Sequence, residues 1–353
     1  MHVIHERGGR ANYHLVAQRL AYDQRNPDGW FTVYVSDLDG GRVRPITADL
    51  DFWPRGQVRH VGLPTWSDDA EYLLVSVEEI DPSSPASVSS DVTHHLAMQP
   101  GRGVANSIAL IRLRDLHWWW LWRYQDHGLG SMHCYLDATD QQLVFSRMTA
   151  YSGSFASWDV GHAYLDWHHG EPHLYQLRYF QPISGNPDQP PLAEVNSWAP
   201  RPERICVSGN PLQGQRQEHS DVFSCDLSGG QIERLTRSNG VGGEPGRYDE
   251  HLVYGPGGER YAYMGSAPWR GNAAAIELFV GLAGQVSDQQ QVSHFNDPQS
   301  AMYVPPQGGA THITAARPTW ASRDHLITTA LDYPGNDPRH SGEGPIVLFE
   351  IES

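Results

Sequence analysis

The side chains best placed for chemistry in this sequence are histidines ahead of short apolar hairpins. His133 and His251 stand two or three residues before the aromatic residue that anchors a hairpin, and His312 and His60 stand a little further upstream. Neutral imidazoles arriving from separate parts of a chain suit a divalent metal such as Zn, Mn or Ca. Such a metal polarises a carbonyl or activates water. The expected ligands are His133, His251 and His312, with His60 as a fourth ligand or a base. Arg247 and Arg317 are the expected catalytic clamps on a substrate carboxylate, because a guanidinium grips that group with two parallel bonds. Trp158, His162, Tyr248, Trp269 and Tyr303 are expected to contact substrate. The competing expectation for His251, within Asp249-Glu250-His251, is a cap on the turn that enters its hairpin.

Other candidates carry less. His94-His95 and His168-His169 are adjacent pairs, and neighbours on a strand face opposite sides, so neither pair chelates one metal without a bend. Asp159, Asp166 and Glu171 read as surface carboxylates. Trp118-Trp-Trp-Leu-Trp122 reads as packing between sheets, with an aromatic edge for a partner or carbohydrate as the alternative. No Gly-x-Ser-x-Gly elbow, phosphate-binding loop, His-Glu-x-x-His or dinucleotide fingerprint occurs, so no nucleotide cofactor is expected.

Composition narrows the partners. The 353 residues carry a net charge of −16, with 25 basic residues that are all arginine. An acidic chain lacks the basic face that phosphates require, so no nucleic-acid partner is expected. No apolar run is long enough to span a membrane. Met1-His-Val-Ile-His-Glu-Arg7 lacks the apolar centre of a signal peptide. That points to the cytoplasm, or to the periplasm or exterior if a leader has been removed. Cys134, Cys206 and Cys225 have no framework spacing and read as buried free thiols. A Cys206–Cys225 bridge is the minor alternative.

The elements that must position these residues repeat along the chain. Tyr248 to Met264 reads as a strand, a Gly-Pro-Gly-Gly turn and a second strand. Gly257 and Gly258 supply the positive φ that a tight turn needs. The hairpin returns at Tyr13, Trp66, Tyr135, Trp198 and Trp320, with anchors 53 to 69 residues apart. A third strand follows each copy (Thr32–Leu38, Ser107–Leu113, His173–Leu177, Asp221–Leu227, Ile276–Leu282, Pro345–Ile351) and a fourth follows most. Repeated four-stranded units at this spacing predict an all-β, six-bladed β-propeller with antiparallel blades. The expected blades cover 10–47, 60–124, 131–183, 195–236, 249–295 and 315–351. A strand at 2–7 completes the last blade and closes the ring, which removes an exposed sheet edge. The chain is then one domain and, by default, a monomer. Two long insertions, Glu78 to Asn106 and Arg147 to Pro172, are expected as loops on the binding face.

The repeat resembles the TolB-type propeller repeat. Asp249–Tyr263 with Ile232-Glu-Arg-Leu-Thr236, and Tyr34-Val-Ser-Asp-Leu-Asp-Gly40 with Val43-Arg-Pro-Ile-Thr47, carry the resemblance. It implies a fold shared by periplasmic adaptors, propeller caps of prolyl-oligopeptidase-type peptidases and some polysaccharide lyases. Propeller-type oligogalacturonate lyases are similar in principle, since they hold a metal with channel histidines. The leading expectation is therefore a metal-dependent hydrolase or lyase acting on a carbohydrate or other small polar substrate at the channel mouth. The alternative is a non-catalytic TolB-like propeller whose loop-decorated face docks a protein or glycan. A peptidase cap ranks third, because no hydrolase domain follows.

Overall fold

The computed structural model describes residues 1–27, 29–53, 60–79, 105–127, 130–152, 155–182, 192–215, 219–237, 246–266, 275–307, 311–333 and 342–351. The fold is all-β and propeller-like. After β1 (His2–Gly8) come four separate antiparallel sheets of four strands each. The first holds β2 (Ala11–His14), β3 (Arg19–Arg25), β4 (Phe31–Asp37) and β5 (Arg44–Pro45). The second holds β6 (Val61–Trp66), β7 (Tyr72–Glu78), β8 (Asn106–Arg112) and β9 (Trp118–Trp122). β10 (Ser131–Leu136), β11 (Gln142–Ser152), β12 (Phe155–His168) and β13 (Glu171–Phe180) form the third. β14 (Ala193–Trp198), β15 (Arg204–Gly209), β16 (Asp221–Asp226) and β17 (Glu233–Arg234) form the fourth.

The other strands share one nine-stranded sheet, where six separate four-stranded blades were expected. Within it, β18 (Asp249–Tyr254), β19 (Arg260–Ser266), β20 (Ile276–Leu282) and β21 (Gln285–Gln291) pair in sequence, all antiparallel. β22 (His312–Ala315) and β23 (Thr319–Trp320) both pair antiparallel with β24 (His325–Tyr333), which pairs with β25 (Gly344–Glu350). A single parallel pair, Ile276 with Thr314, joins the two runs. β1 completes the second run by pairing with β25, as expected of the N-terminal strand, and Arg7 there meets the buried carboxylate of Glu343.

The strands bury both faces, so they read as apolar runs rather than alternating ones. On β7, Leu73, Val75 and Val77 pack toward Val33 and Val35 of the first sheet, and Leu74 packs toward Leu143 and Phe145 of the third. Each such side chain contributes about 1.5–3 kcal/mol when fully buried. The tryptophans of β9 divide the same way. Trp118 and Trp120 lie against Phe52, while Trp119 lies against Trp167. They fill space between sheets, as the packing reading of that run requires. The three cysteines are free and buried, and Cys206 stands opposite Ser224 rather than Cys225.

Two sequence expectations need correction. Arg147 to Pro172 is not a loop: it is the end of β11, all of β12 and the start of β13, in a ladder that pairs Arg147 with Asp159. The Arg147 guanidinium forks onto that carboxylate at 3.0 and 2.5 Å and stacks on Tyr179 at 3.6 Å, which holds the long hairpin together. His173–Leu177 consequently belongs to the fourth strand of its sheet, not the third. The other predicted insertion, Glu78 to Asn106, falls at 80–104 outside the described residues. No helix among the described residues is long and apolar enough to cross a membrane.

Candidate functional site

Three inner strands carry an irregularity at the corresponding place, while β2 pairs with β3 without a slip. In β6 the register slips between Gly62 and Thr65, in β10 between Met132 and Tyr135, and in β18 between Glu250 and Val253. Each slip holds a non-glycine residue in the left-handed region: Leu63 (φ 52°), His133 (φ 53°) and His251 (φ 54°). That conformation costs about 1–2 kcal/mol for a residue with a Cβ. A bulge re-aims a side chain out of the ladder, which is a reason to keep the strain.

The register also corrects the hairpin anchors. Trp66, Tyr254 and Trp320 occupy the last pair of their ladders, and so does Leu136, not Tyr135. Counting back three from Trp66, Leu136, Tyr254 and Trp320 gives Leu63, His133, His251 and Arg317; the ladder of β2 ends one pair later, at His14, and Arg10 stands just before that strand. β14 differs, because its slip comes one residue later. Val195 therefore stays opposite Val207 and buried, and the extra residue is Asn196.

These positions converge across the ring. The rings of His133 and His251, on strands of different sheets, lie 4.4 Å apart at 78°. Arg317 sits 4.6 Å over the Tyr135 ring and its Nη1 donates weakly to Thr65 Oγ1 at 3.4 Å. Leu63, Met132, Met148, Trp158 and Leu192 form an apolar cluster at the N-terminal ends of these inner strands, and Tyr248 packs against it. The Tyr248 hydroxyl donates to Glu250 Oε2 at 2.7 Å, and Glu250 Oε1 lies 3.8 Å from His251 Nε2.

Neighbouring side chains pin the bulges. Asp23, fully buried, accepts the amide of Arg10 through Oδ1 and that of Leu63 through Oδ2, both at 2.8 Å. Burial pushes its carboxyl up to about 6, against the pull of Arg10 and the two amides. Asn196 Oδ1 accepts the Leu252 amide and Ser197 donates to the Leu252 carbonyl, which fixes the chain beside His251. His251 is held below the usual imidazole range chiefly by burial, with Glu250 opposing and Arg317 and Arg10 adding to it. His251 Nδ1 is buried with no hydrogen-bond partner among the described residues. Burial also lifts the Tyr135 hydroxyl to about 12, despite the pull of Arg317 beside it.

Of the residues expected from sequence, the fold gathers His133, His251, Arg317 and Tyr248. Trp158 is buried in the adjoining apolar cluster and offers no open stacking face. His60 stands just before β6 and His312 begins β22, three and five residues before the ring position. At about 3.3 Å per residue, that sets them well away from the imidazole pair. His60 Nδ1 accepts the Phe31 amide at 3.1 Å, and burial drives the ring down to about 3. The His312 ring meets Thr311 Oγ1 at 2.8 Å. His162 lies mid-strand on β12, bonded to Gln142 and Arg178. Arg247 stacks on Phe279 at 4.8 Å, Tyr303 lies in a turn closed by its bond to Ser300, and Trp269 falls outside the described residues. Sequence reasoning missed Arg10, Leu63 and Tyr135. Arg10 was findable, since it stands three residues before Tyr13. Among the described residues, no group of three or more His, Cys, Asp or Glu side chains is arranged to hold a metal.

Comparison with known proteins supports the fold and nothing finer. No family model and no curated protein matches the sequence. Among solved structures, the chain is similar to TolB from Acinetobacter baumannii, with 12% identity over 97% of this chain and a TM-score of 0.50. It spans 64% of that protein's length. The acylaminoacyl peptidase of Pyrococcus horikoshii follows with 11% identity, 97% of this chain, 43% of that one and a TM-score of 0.47. The β-propeller domain of the trilobed protease from Pyrococcus furiosus gives 10%, 90%, 76% and 0.46. The described chain is thus a TolB-like propeller in fold, and fold alone does not fix function.

Proposed function

We propose that this chain is a single-domain, monomeric, six-bladed propeller of the TolB-like kind that binds a small polar molecule at its inner ring. The count of six takes the two antiparallel runs of the nine-stranded sheet as blades beside the four separate sheets. One observation carries the reading: strained bulges on separate sheets aim His133 and His251 at each other, with Arg317 arriving from the segment between β22 and β23. Strain concentrated where side chains from separate elements meet is the usual mark of a binding or catalytic centre. A thermal-shift panel of organic acids, amines and monosaccharides tests it, because a ligand that binds only the folded state raises Tm by mass action. One chemical class should raise the Tm of the wild type and leave a His133→Ala/His251→Ala variant unmoved. If every class treats the two proteins alike, the ring is not a ligand site.

The contact between the two imidazoles favours a second reading, a metal-dependent hydrolase or lyase in which His133 and His251 are two of the ligands. Elemental analysis decides between the readings. Stoichiometric Zn or Mn, lost in His133→Ala or His251→Ala, supports catalysis, and metal-free protein that still binds its ligand removes it.

A further inference from the structure

Arg317 stands apart from the half-buried arginines that reach the interior and from the other buried one, Arg204, which donates to Ser224 and to the Gln231 carbonyl at 2.9–3.0 Å. Arg147 and Arg234 each reach a buried carboxylate, Asp159 and Asp221, at 2.5 and 2.6 Å. Arg123 does the same with Glu79. Arg317 is only 8% exposed, yet its recorded interactions among the described residues are the face of Tyr135 and a 3.4 Å contact with Thr65 Oγ1. It makes no ion pair among them. A guanidinium taken out of water needs acceptors, and its planar fork matches a carboxylate. Beside it, His251 Nδ1 is a buried polar atom that no described residue satisfies.

The protein's own carboxylates do not fill the gap. Asp23 is committed to the amides of Arg10 and Leu63, and Glu250 accepts the Tyr248 hydroxyl. Glu194 and Glu250 act on Tyr135 only at electrostatic range. We propose that the inner ring takes a small organic carboxylate, its two oxygens on the Arg317 guanidinium and the His133–His251 pair alongside. This rests on the reading of the ring as a ligand site and adds the sign of the ligand's charge and the residue that reads it.

The test uses acetate, the smallest probe with that headgroup, and acetamide, its neutral counterpart, at matched ionic strength. Imidazole nitrogen resonances of the intact chain are followed by NMR. Acetate should shift the His133 and His251 signals saturably, and acetamide should not. Arg317→Met, which keeps the length of the stem, should weaken acetate by about tenfold or more. Glu250→Gln removes a nearby negative charge and should tighten it. Near-ultraviolet circular dichroism checks that each variant is folded, and a Glu250→Gln protein that binds acetate more weakly counts against the proposal even if Arg317→Met fails to fold. If acetamide binds as well as acetate and Arg317→Met changes neither, the carboxylate assignment is overturned while the ring remains a ligand site. If neither probe moves the imidazole signals, both the assignment and the ligand-site reading fall.

Discussion

Replacing Arg317 by methionine should cost the protein almost no stability, while the same change at Arg147 should cost much. At Arg317 the losses are one cation–π contact with Tyr135, about 1 kcal/mol for a partly desolvated pair, and a long contact to Thr65 Oγ1 worth a fraction of that. Against this stands the desolvation of a buried guanidinium that lacks a carboxylate, about 1–3 kcal/mol, which the apolar side chain avoids. The net change lies within about 1 kcal/mol of zero. At Arg147 the substitution strands Asp159, only 6% exposed and already raised by burial, without its forked partner. Breaking a pair that way costs about 3–5 kcal/mol. Urea unfolding of both variants, followed by tryptophan fluorescence, gives the two values directly. A loss at Arg317 equal to that at Arg147 would falsify the view that Arg317 is kept for a ligand rather than for the scaffold.

Two further outcomes follow from the same geometry. Ala70 closes a hairpin turn at φ 58°, where the fifth hairpin has Gly258 at φ 76°. Ala70→Gly should therefore raise stability by up to about 1 kcal/mol, read as a higher urea midpoint at unchanged slope, and a loss would show that the turn is not strained there. Acid should destabilise the fold through its buried imidazoles. His60, depressed to about 3, contributes stability that is present above 6.5 and lost as pH falls toward 3, at most about 5 kcal/mol. His162, lowered to about 4, and His251 act in the same direction. Asp23, raised to about 6, opposes them only between about 6 and 4, where its proton binds the folded state more tightly. Tm should fall steadily below pH 6.5, and His60→Gln should flatten that fall. A Tm that rises on acidification would contradict the assignment.

Much of the fold was legible because its signal is periodic. Hairpin anchors recur, and both-face burial makes the strands apolar runs. The closing strand was predictable from an edge that needed a partner. The degenerate copies hid their turns for a definable reason: Ala70, Asp140 and Glu203 hold positive φ without being glycine. Neighbours help to hold them, as where Asp140 accepts the amides of Asp68 and Asp69. The hairpin β11–β12 was read as a loop because its polar residues satisfy one another across the ladder, Arg147 with Asp159, rather than alternating with apolar ones. At the site, His133, His251 and Arg317 were visible as residue types near strand starts. Which of the histidines meet was not, because the choice depends on the bulge. In β10 and β18 the left-handed residue at the slip is the one that reaches the ring; His60 precedes the slip of β6, and His312 stands five residues before Arg317. Tyr135 looked like an anchor, whereas the register puts Leu136 there and leaves Tyr135 under the guanidinium.

The most direct measurement is a crystal structure of the protein grown with the acid that scores highest in the thermal-shift panel. The account predicts a bound molecule at the inner ring with its carboxylate oxygens on the Arg317 guanidinium and a hydrogen bond to His251 Nδ1. A structure in which a protein carboxylate occupies Arg317, a protein group satisfies His251 Nδ1 and the ligand lies elsewhere would contradict it.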